Sequence, residues 1–540
     1  MKKLWMMILL TILSVVIISC QETPVEPEES EETPWKITYD IKDASPHFYN
    51  EVSVCYQIFP IAFADSNGDG LGDLNGITEN LDYLSETLNV DCIWLNPINP
   101  SPTYHKYDVT DYYGIDQQFG TMADFEALIE AADAVGIKIL MDLVINHSSS
   151  QHPWFINATT GPAASYRDFY VWNDLTDREA FPIRTGWYMN NGMYYYASFW
   201  SEMPELNFDN PAVREEINNI TTFWLEKGVG GFRIDAARHI YDINEYPLGT
   251  PTNRENINYF RAFNHHVKTI NPDAFVVGEV YVNSSSFVAG FYEGMDSAFN
   301  FEFSDALITA LQQGYDTDAL DVIFESREAF GRRRDDYIDS FFLTNHDQDR
   351  IIGRLDNNPD KMKLAAHIMM TLPGISWIYY GEELGMSGPK PDPSIRQPFK
   401  WGNERLSYTT QSRPNGIAAW NTQNQNLIGM TEQLLDETSI LSAYINAIEL
   451  RKTHKTLHQG DILRLTNNDQ RLLTFLRVDG DDIYLVVHNL SSQSVSRAHN
   501  LTSYEVIYHT HTLDDQQTSF VFQPFSSTVI KINTTNVSLS

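Results

Sequence analysis

From about residue 50 onward, short apolar runs alternate with stretches of helical period, and this alternation limits the fold more than any other feature. The strand candidates are Val54–Phe59, Asp91–Asn96, Ile137–Val144, Gly231–Asp235, Phe275–Glu279, Ser297–Phe301, Ile338–Thr344 and Ile375–Tyr380. Between them, Met122–Val135 aligns Phe125, Leu128, Ile129 and Ala132 before a stop at Gly136. Val213–Lys227 does the same with Val213, Ile217, Ile220 and Trp224 before Gly228. Continuous apolar strands separated by helices imply a parallel sheet covered on both faces. Eight such units predict an α/β fold, a closed (β/α)8 TIM barrel.

Two interruptions divide the chain, whose 540 residues exceed the ~250–300 that one core supports. Residues 148–207, rich in Tyr, Trp, Asn and Gly, are too many for a βα loop and read as a small domain inserted after strand 3. Past a helix ending near Lys452, strand-like alternation returns in Asp482–Leu490, Tyr504–Tyr508 and Thr528–Ile532. The expected layout is therefore a barrel over 49–147 and 208–455, and a C-terminal all-β sandwich over 456–540.

The N-terminus reads as a targeting segment. Lys2 and Lys3 precede an apolar run, Leu4 to Ile18, which ends at Ser19-Cys20 and is short for a membrane span. The ending resembles a bacterial lipoprotein signal over 1–20, with Cys20 as the lipidated residue; an ordinary cleaved secretory signal is the alternative. Residues 21–48 form an acidic linker that includes Glu22, Glu26, Glu28, Glu29, Glu31 and Glu32. The expected location is the bacterial cell envelope, with membrane contact only through that anchor. A net charge of −35, from 37 Lys+Arg against 72 Asp+Glu, argues against nucleic-acid partners. Cys55 and Cys92 lie inside strand-like runs. Buried free thiols are the default expectation, although the two are able to pair.

Acids recur where the strands end, the place where barrels of this kind carry function. Asp235 closes Gly231-Phe232-Arg233-Ile234-Asp235, and Glu279 closes Phe275-Val276-Val277-Gly278-Glu279. His346 and Asp347 follow strand seven, and Asn146 and His147 follow strand three. These ordered motifs resemble the conserved regions of the α-amylase superfamily, glycoside hydrolase family 13. The likeness extends to Tyr56–Pro60, Met203–Asn207 and Gly374–Met386 and covers roughly residues 50–533.

Splitting a glycoside with retention needs two carboxyl groups ~5–5.5 Å apart, one attacking carbon and one protonating the leaving oxygen. The resemblance implies Asp235 as nucleophile, Glu279 as general acid and then base, and Asp347 as the third acid, which binds sugar hydroxyls. Arg233 would keep Asp235 ionised, His147 and His346 would contact the same sugar, and His239 would be a further substrate-binding residue. Tyr107 resembles the family's stacking platform beneath the cleaved sugar. Asp108 either touches that sugar or caps the following turn. The implied activity is hydrolysis of α-1,4 bonds in an α-glucan or malto-oligosaccharide. Two alternatives stand beside it: a neopullulanase, oligo-glucosidase or transglycosylase with the same carboxylates, and a non-catalytic glucan-binding surface protein. Tyr194, Tyr195, Tyr196 and Trp200 either line the cleft or form the insertion's core.

The loop Asp65-Ser66-Asn67-Gly68-Asp69-Gly70-Leu71-Gly72-Asp73 sets oxygen donors at alternate positions around a Gly-permitted turn. Side chains of Asp65, Asn67, Asp69 and Asp73 and the Leu71 carbonyl are the expected Ca2+ ligands. The twelfth position is Gly76, so this is not an EF-hand. Asn146 resembles a ligand of a further family calcium site, whose partner position holds Glu205 instead of Asp; no site is assigned there.

Overall fold

Three parallel strands, β1 (Val54–Ile58), β2 (Cys92–Leu95) and β3 (Lys138–Leu143), open the computed structural model. An antiparallel sheet of β4 (Trp172–Asn173), β5 (Trp187–Asn190) and β6 (Met193–Tyr196) follows. Then come β7 (Gly231–Ile234), β8 (Phe275–Gly278), β9 (Ser297–Phe299), β10 (Ile338–Phe342) and β11 (Ile375–Tyr379). Strands β1–β3 and β7–β11 close a barrel in the order β1-β11-β10-β9-β8-β7-β3-β2. The structure describes residues 52–174, 186–242, 253–411, 424–465, 469–516 and 518–539. All of these fall in the unit Ile37–Ser540, so Cys20, the leader and the linker over 21–48 lie outside the described residues.

Each of the eight expected strands is present, and each stops one or two residues before its apolar run does. That shortening leaves Asp235 and Glu279 as the first residues beyond β7 and β8. Ile234 pairs with Gly278 in register, so the two acids leave adjacent strands at the same level. The close approach of β7 to β8 requires Gly231, whose φ is +146° and whose added Cβ would meet the Phe275 carbonyl oxygen at 2.0 Å. Inside the barrel, Cys55, Cys92, Trp94, Leu140, Phe275, Val277, Phe299, Phe342 and Trp377 form one buried cluster. The enclosing helices start on local signals. Thr121 and Asp124 make a reciprocal capping box for Met122–Ala134, and Asn210 caps Pro211–Glu226 with Pro at its first position.

The expectation of free thiols is corrected. Cys55 and Cys92 are register partners on β1 and β2, with Cα atoms 4.6 Å apart, and they form a disulfide. Thirty-seven residues of sequence hide a contact that the parallel register makes direct.

The C-terminal region holds two sheets. Strands β12 (Asp461–Arg464), β13 (Leu472–Asp479), β14 (Asp482–Asn489), β16 (Tyr504–His509) and β19 (Ser527–Ile532) form one. The other is β15 (Val495–Ala498), β17 (Asp514–Asp515) and β18 (Ser519–Phe522). Leu485, Val487 and Ile530 from the first share a buried cluster with Val495, Phe520 and Phe522 from the second. That shared cluster is what a sandwich requires. No described helix is long and apolar enough to cross a membrane.

Candidate active site

Beyond β7 the backbone turns sharply. Ala236 adopts the left-handed region, φ 46° and ψ 39°, a costly conformation for a residue with a side chain and one that collects at functional sites. The turn aims the Ala236 N–H at Glu279, donating to Oε2 at 3.1 Å. From beneath, the fully buried Arg233 ties the acids together. Its Nη1 donates to Asp142 Oδ1 at 2.8 Å and to Asp235 Oδ1 at 2.6 Å. Its Nη2 lies 2.9 Å from Glu279 Oε1 in an ion pair, and the Trp94 ring lies 4.9 Å from the guanidinium carbon.

One guanidinium thus serves three carboxylates, too little positive charge to keep all of them ionised in a desolvated site. Burial first, then the charges of Asp235 and Asp347, push Glu279 up to about 7 against the pull of Arg233. Burial also raises Asp235, opposed by the charge and hydrogen bond of Arg233. Asp347 moves the other way. Burial works against its ionised form, but His346, Arg396 and Arg233 more than offset that and hold its carboxyl well below the usual range. Arg396 Nη2 donates to Asp347 Oδ1 at 2.7 Å and to Asp392 Oδ2 at 3.0 Å.

A hydrogen-bond chain sets the remaining groups. Gln57 Nε2 lies 2.7 Å from His346 Nδ1; an amide NH2 only donates, so the imidazole proton sits on Nε2. That nitrogen lies 2.6 Å from the Tyr107 hydroxyl, which in turn donates to Asp142 Oδ2 at 2.8 Å. Burial holds His346 well below its ordinary value and brings His147 down to about 4, so both are neutral near pH 7.

Asp235, Glu279, Asp347, Tyr107, His147 and His239 all line one cleft of about 630 Å³. Arg233 and His346 lie directly beneath it, with side chains 0% exposed. Asp108 is not among the lining residues. Its Oδ1 accepts from Ser101 Oγ at 2.6 Å and from Thr103 Oγ1, hydroxyls of the segment before it and not of the turn that follows. The sequence reading missed Arg396, Asp392, Lys390, Phe199 and Tyr281, which also line the cleft. Phe199 and Tyr281 carry no motif; their signal is exposure, at 50% and 59%. Trp200 lines the cleft as well, whereas Tyr195 and Tyr196 are buried in the insertion.

The side-chain oxygens of the 65–73 loop are taken up by nearby N–H groups, while its backbone bonds Tyr408 and Gln411. Asp65 accepts from the N–H groups of Gly68 and Gly70 at 2.8 and 2.7 Å. Asn67 accepts from Asp69 N, Asp69 from Leu71 N, and Asp73 from Gly76 N. The donors are hard oxygens suited to calcium, but among the described residues no group of three or more His, Cys, Asp or Glu side chains converges as a metal would require. Asn146 is also engaged: its Nδ2 donates to the His239 carbonyl at 2.5 Å, and its Oδ1 lies 3.0 Å from His147 Nδ1.

A barrel with paired acids on neighbouring strand ends admits several chemistries, and comparison with known proteins narrows them. Residues 57–460 match the family model described as "Alpha amylase, catalytic domain". The chain belongs to the α-amylase family of glycoside hydrolases. This α-amylase family member is 40% identical over 496 residues to "Alpha-amylase 3" of Dictyoglomus thermophilum, covering 90% of this chain and 95% of the relative. It is 32% identical over 452 residues to a "4-alpha-glucanotransferase" of Thermotoga neapolitana, covering 81% and 95%. Among solved structures, the α-amylase from H. orenii superposes with a TM-score of 0.81 at 34% identity, covering 89% of this chain and 99% of that one.

Proposed function

We propose that this glycoside hydrolase cleaves α-1,4-glucosidic bonds in starch-type glucans and malto-oligosaccharides, with Asp235 as nucleophile, Glu279 as acid and then base, and Asp347 as a sugar-hydroxyl acceptor. The observation that carries this reading is the single buried guanidinium paired to both Asp235 and Glu279. One guanidinium that reaches both brings the two carboxyls close together, as a retaining mechanism needs. Protonated Glu279 gives its proton to the glycosidic oxygen as Asp235 attacks C1. The C1–O bond breaks, an ester bond to Asp235 forms, and the leaving sugar departs with the proton. Glu279, now ionised, takes a proton from water, the water oxygen bonds C1, and the ester breaks. Tyr107 and His147 face this centre from the cleft wall.

The test is the product profile from soluble starch and pullulan beside an Asp235→Asn variant. Mixed malto-oligosaccharides, absent with the variant, are expected. Activity surviving in the variant overturns the assignment of the nucleophile. Panose from pullulan would instead favour the neopullulanase-like subtype.

A second reading, transfer to a sugar acceptor, is favoured by Phe199, Trp200 and Tyr281. These half-exposed rings line the same cleft as Glu279 and offer stacking faces to a sugar that would replace water. Products longer than the supplied maltotetraose would establish it. Non-catalytic glucan binding fits poorly with three acids held in one cleft, and reducing-sugar release excludes it.

Two further assignments belong to this proposal. Ca2+ at the 65–73 loop rests on the oxygen-donor set; a melting temperature unchanged in excess chelator argues against it. Lipid anchoring through Cys20 at the cell envelope is supported by the Cys55–Cys92 disulfide, a bond that persists in oxidising compartments. A Cys20→Ser variant that stays in the membrane fraction overturns the anchor.

A further inference from the structure

On the flank of the barrel, the inserted segment meets the helix Pro211–Glu226 and encloses a second cavity of about 240 Å³ that shares no lining residue with the catalytic cleft. Trp154, Tyr166 and Phe169 supply its aromatic wall, and Glu215, Glu216 and Asn219 its polar rim. We propose that this cavity is a second carbohydrate-binding site, which holds one or two glucose units of the α-glucan the catalytic cleft acts on; it rests on the reading of that cleft given above.

Three features carry the inference. The aromatic wall is held rigidly. Trp154 stacks on Tyr112 at 5.6 Å and 21°, meets Phe169 edge-on at 5.3 Å and runs nearly parallel to Tyr166 at 6.2 Å. Tyr112 is in turn buried and donates to the His147 carbonyl. Rings fixed in this way lose little freedom when a sugar's apolar face settles on them. The rim is built for hydroxyl groups. Glu216 Oε1 accepts from the Tyr113 hydroxyl at 3.0 Å and its Oε2 from Asn219 Nδ2 at 3.4 Å, which orients it, while Glu215 and Asn219 are exposed on the same helix face, one turn apart. Finally, two carboxylates with no Lys or Arg among the lining residues repel anions. An uncharged polyhydroxylated ligand matches both wall and rim, and a few precisely oriented polar groups beside apolar rings is how such pockets gain specificity.

The experiment measures retardation of the protein in gels containing soluble amylopectin, together with initial rates on a soluble aryl-maltotrioside. Trp154→Ala is expected to weaken amylopectin retardation about tenfold, the scale of one lost aromatic contact, with the rate on the small substrate unchanged. Ala212→Arg leaves the rings in place and fills the cavity from the helix side, so it keeps the test open if Trp154→Ala fails to fold; the same loss is expected. If the wild type cleaves starch and Ala212→Arg is retarded as strongly as the wild type, the second site is wrong and the catalytic reading stands. If the wild type is neither retarded nor active on any α-1,4-glucan, the catalytic reading has failed and this inference falls with it.

Discussion

Two pairs of buried carboxylic acids lie beyond strand ends of this barrel, and they differ in what holds them. Asp235 and Glu279 follow β7 and β8 and share the Arg233 guanidinium, with side chains still 11% and 14% exposed to the cleft. Glu382 and Glu383 follow β11, are almost wholly buried, and take their side-chain hydrogen bonds from phenols, with the Arg350 charge nearby. Tyr444 donates to Glu382 Oε1 at 2.7 Å, and Tyr56 and Tyr83 donate to Glu383 Oε1 at 2.6 and 2.8 Å. The remaining oxygen of each, Oε2, has no hydrogen-bond partner among the described residues. A guanidinium and an open side leave the first pair facing the cleft, where the proposed reaction has Asp235 attack and Glu279 pass the proton. Phenols and a closed side make the second keep its protons.

The sharpest test of that difference is activity. Asp235→Asn is expected to lower kcat on the order of 10⁴-fold, the scale of losing a catalytic group that acts within a unit. Glu382→Gln, which imitates the protonated acid, should leave kcat at pH 5.5 within a few-fold. Comparable losses in both variants would erase the distinction. Next in size is Arg233→Met. Removing the cation that pairs with Asp142, Asp235 and Glu279 leaves buried charge uncompensated, and the expected cost is about 3–5 kcal/mol in denaturant unfolding at pH 7. A stability within about 1 kcal/mol of the wild type would mean that the three acids share protons without it.

The first pair was legible in the sequence because its members sit inside the strand motifs that also define the barrel; once Asp235 and Glu279 are read as strand ends, the register brings them together. Arg396 was not legible. It lies 49 residues beyond Asp347 on a segment with no periodic pattern, and only the folded chain brings it to Asp347. The Cys55–Cys92 bond was hidden for the same reason, since it needs the β1–β2 register. Not every omission was a matter of distance. Leu472–Asp479, with Leu472, Leu473, Phe475, Leu476 and Val478, is as strong a strand signal as those that were read. The 65–73 loop shows the opposite limit. Its motif is local, and so are the hydrogen bonds its side-chain oxygens accept, spanning two to seven residues, so spacing alone does not separate a metal cage from a self-capped turn.

Glu279 sharpens the comparison through pH. Its carboxyl must carry a proton to act as acid, and burial with Asp235 and Asp347 nearby places that proton's loss at about 7. The expected kcat/KM falls about tenfold per pH unit above that point. Glu279→Gln should remove the alkaline limb along with most of the rate. A limb that persists near pH 7 in the residual activity would assign it to another group.

The second pair should show itself in stability instead. Burial raises Glu383 to about 7 and Glu382 to about 8, each offset in part by its tyrosine hydrogen bonds. For an acid whose folded value lies above its unfolded value, the native state binds more protons, so stability falls as pH rises. The fall begins above the unfolded carboxyl's value of about 4.3 and ends for each acid at its folded value. Within that window each acid removes about 1.4 kcal/mol per pH unit. Urea unfolding of the wild type between pH 5 and 7 should therefore show a downward slope in which both acids contribute. In Glu383→Gln about half of that share should disappear, because an amide does not ionise. The variant should also lose about 1 kcal/mol at pH 5, where the acid was already neutral and the amide brings an unpaired N–H into the site. A slope identical to the wild type would mean that Glu383 is ionised in the folded protein, with a cation supplied from a neighbouring side chain such as Arg350, and the contrast between the two pairs would collapse.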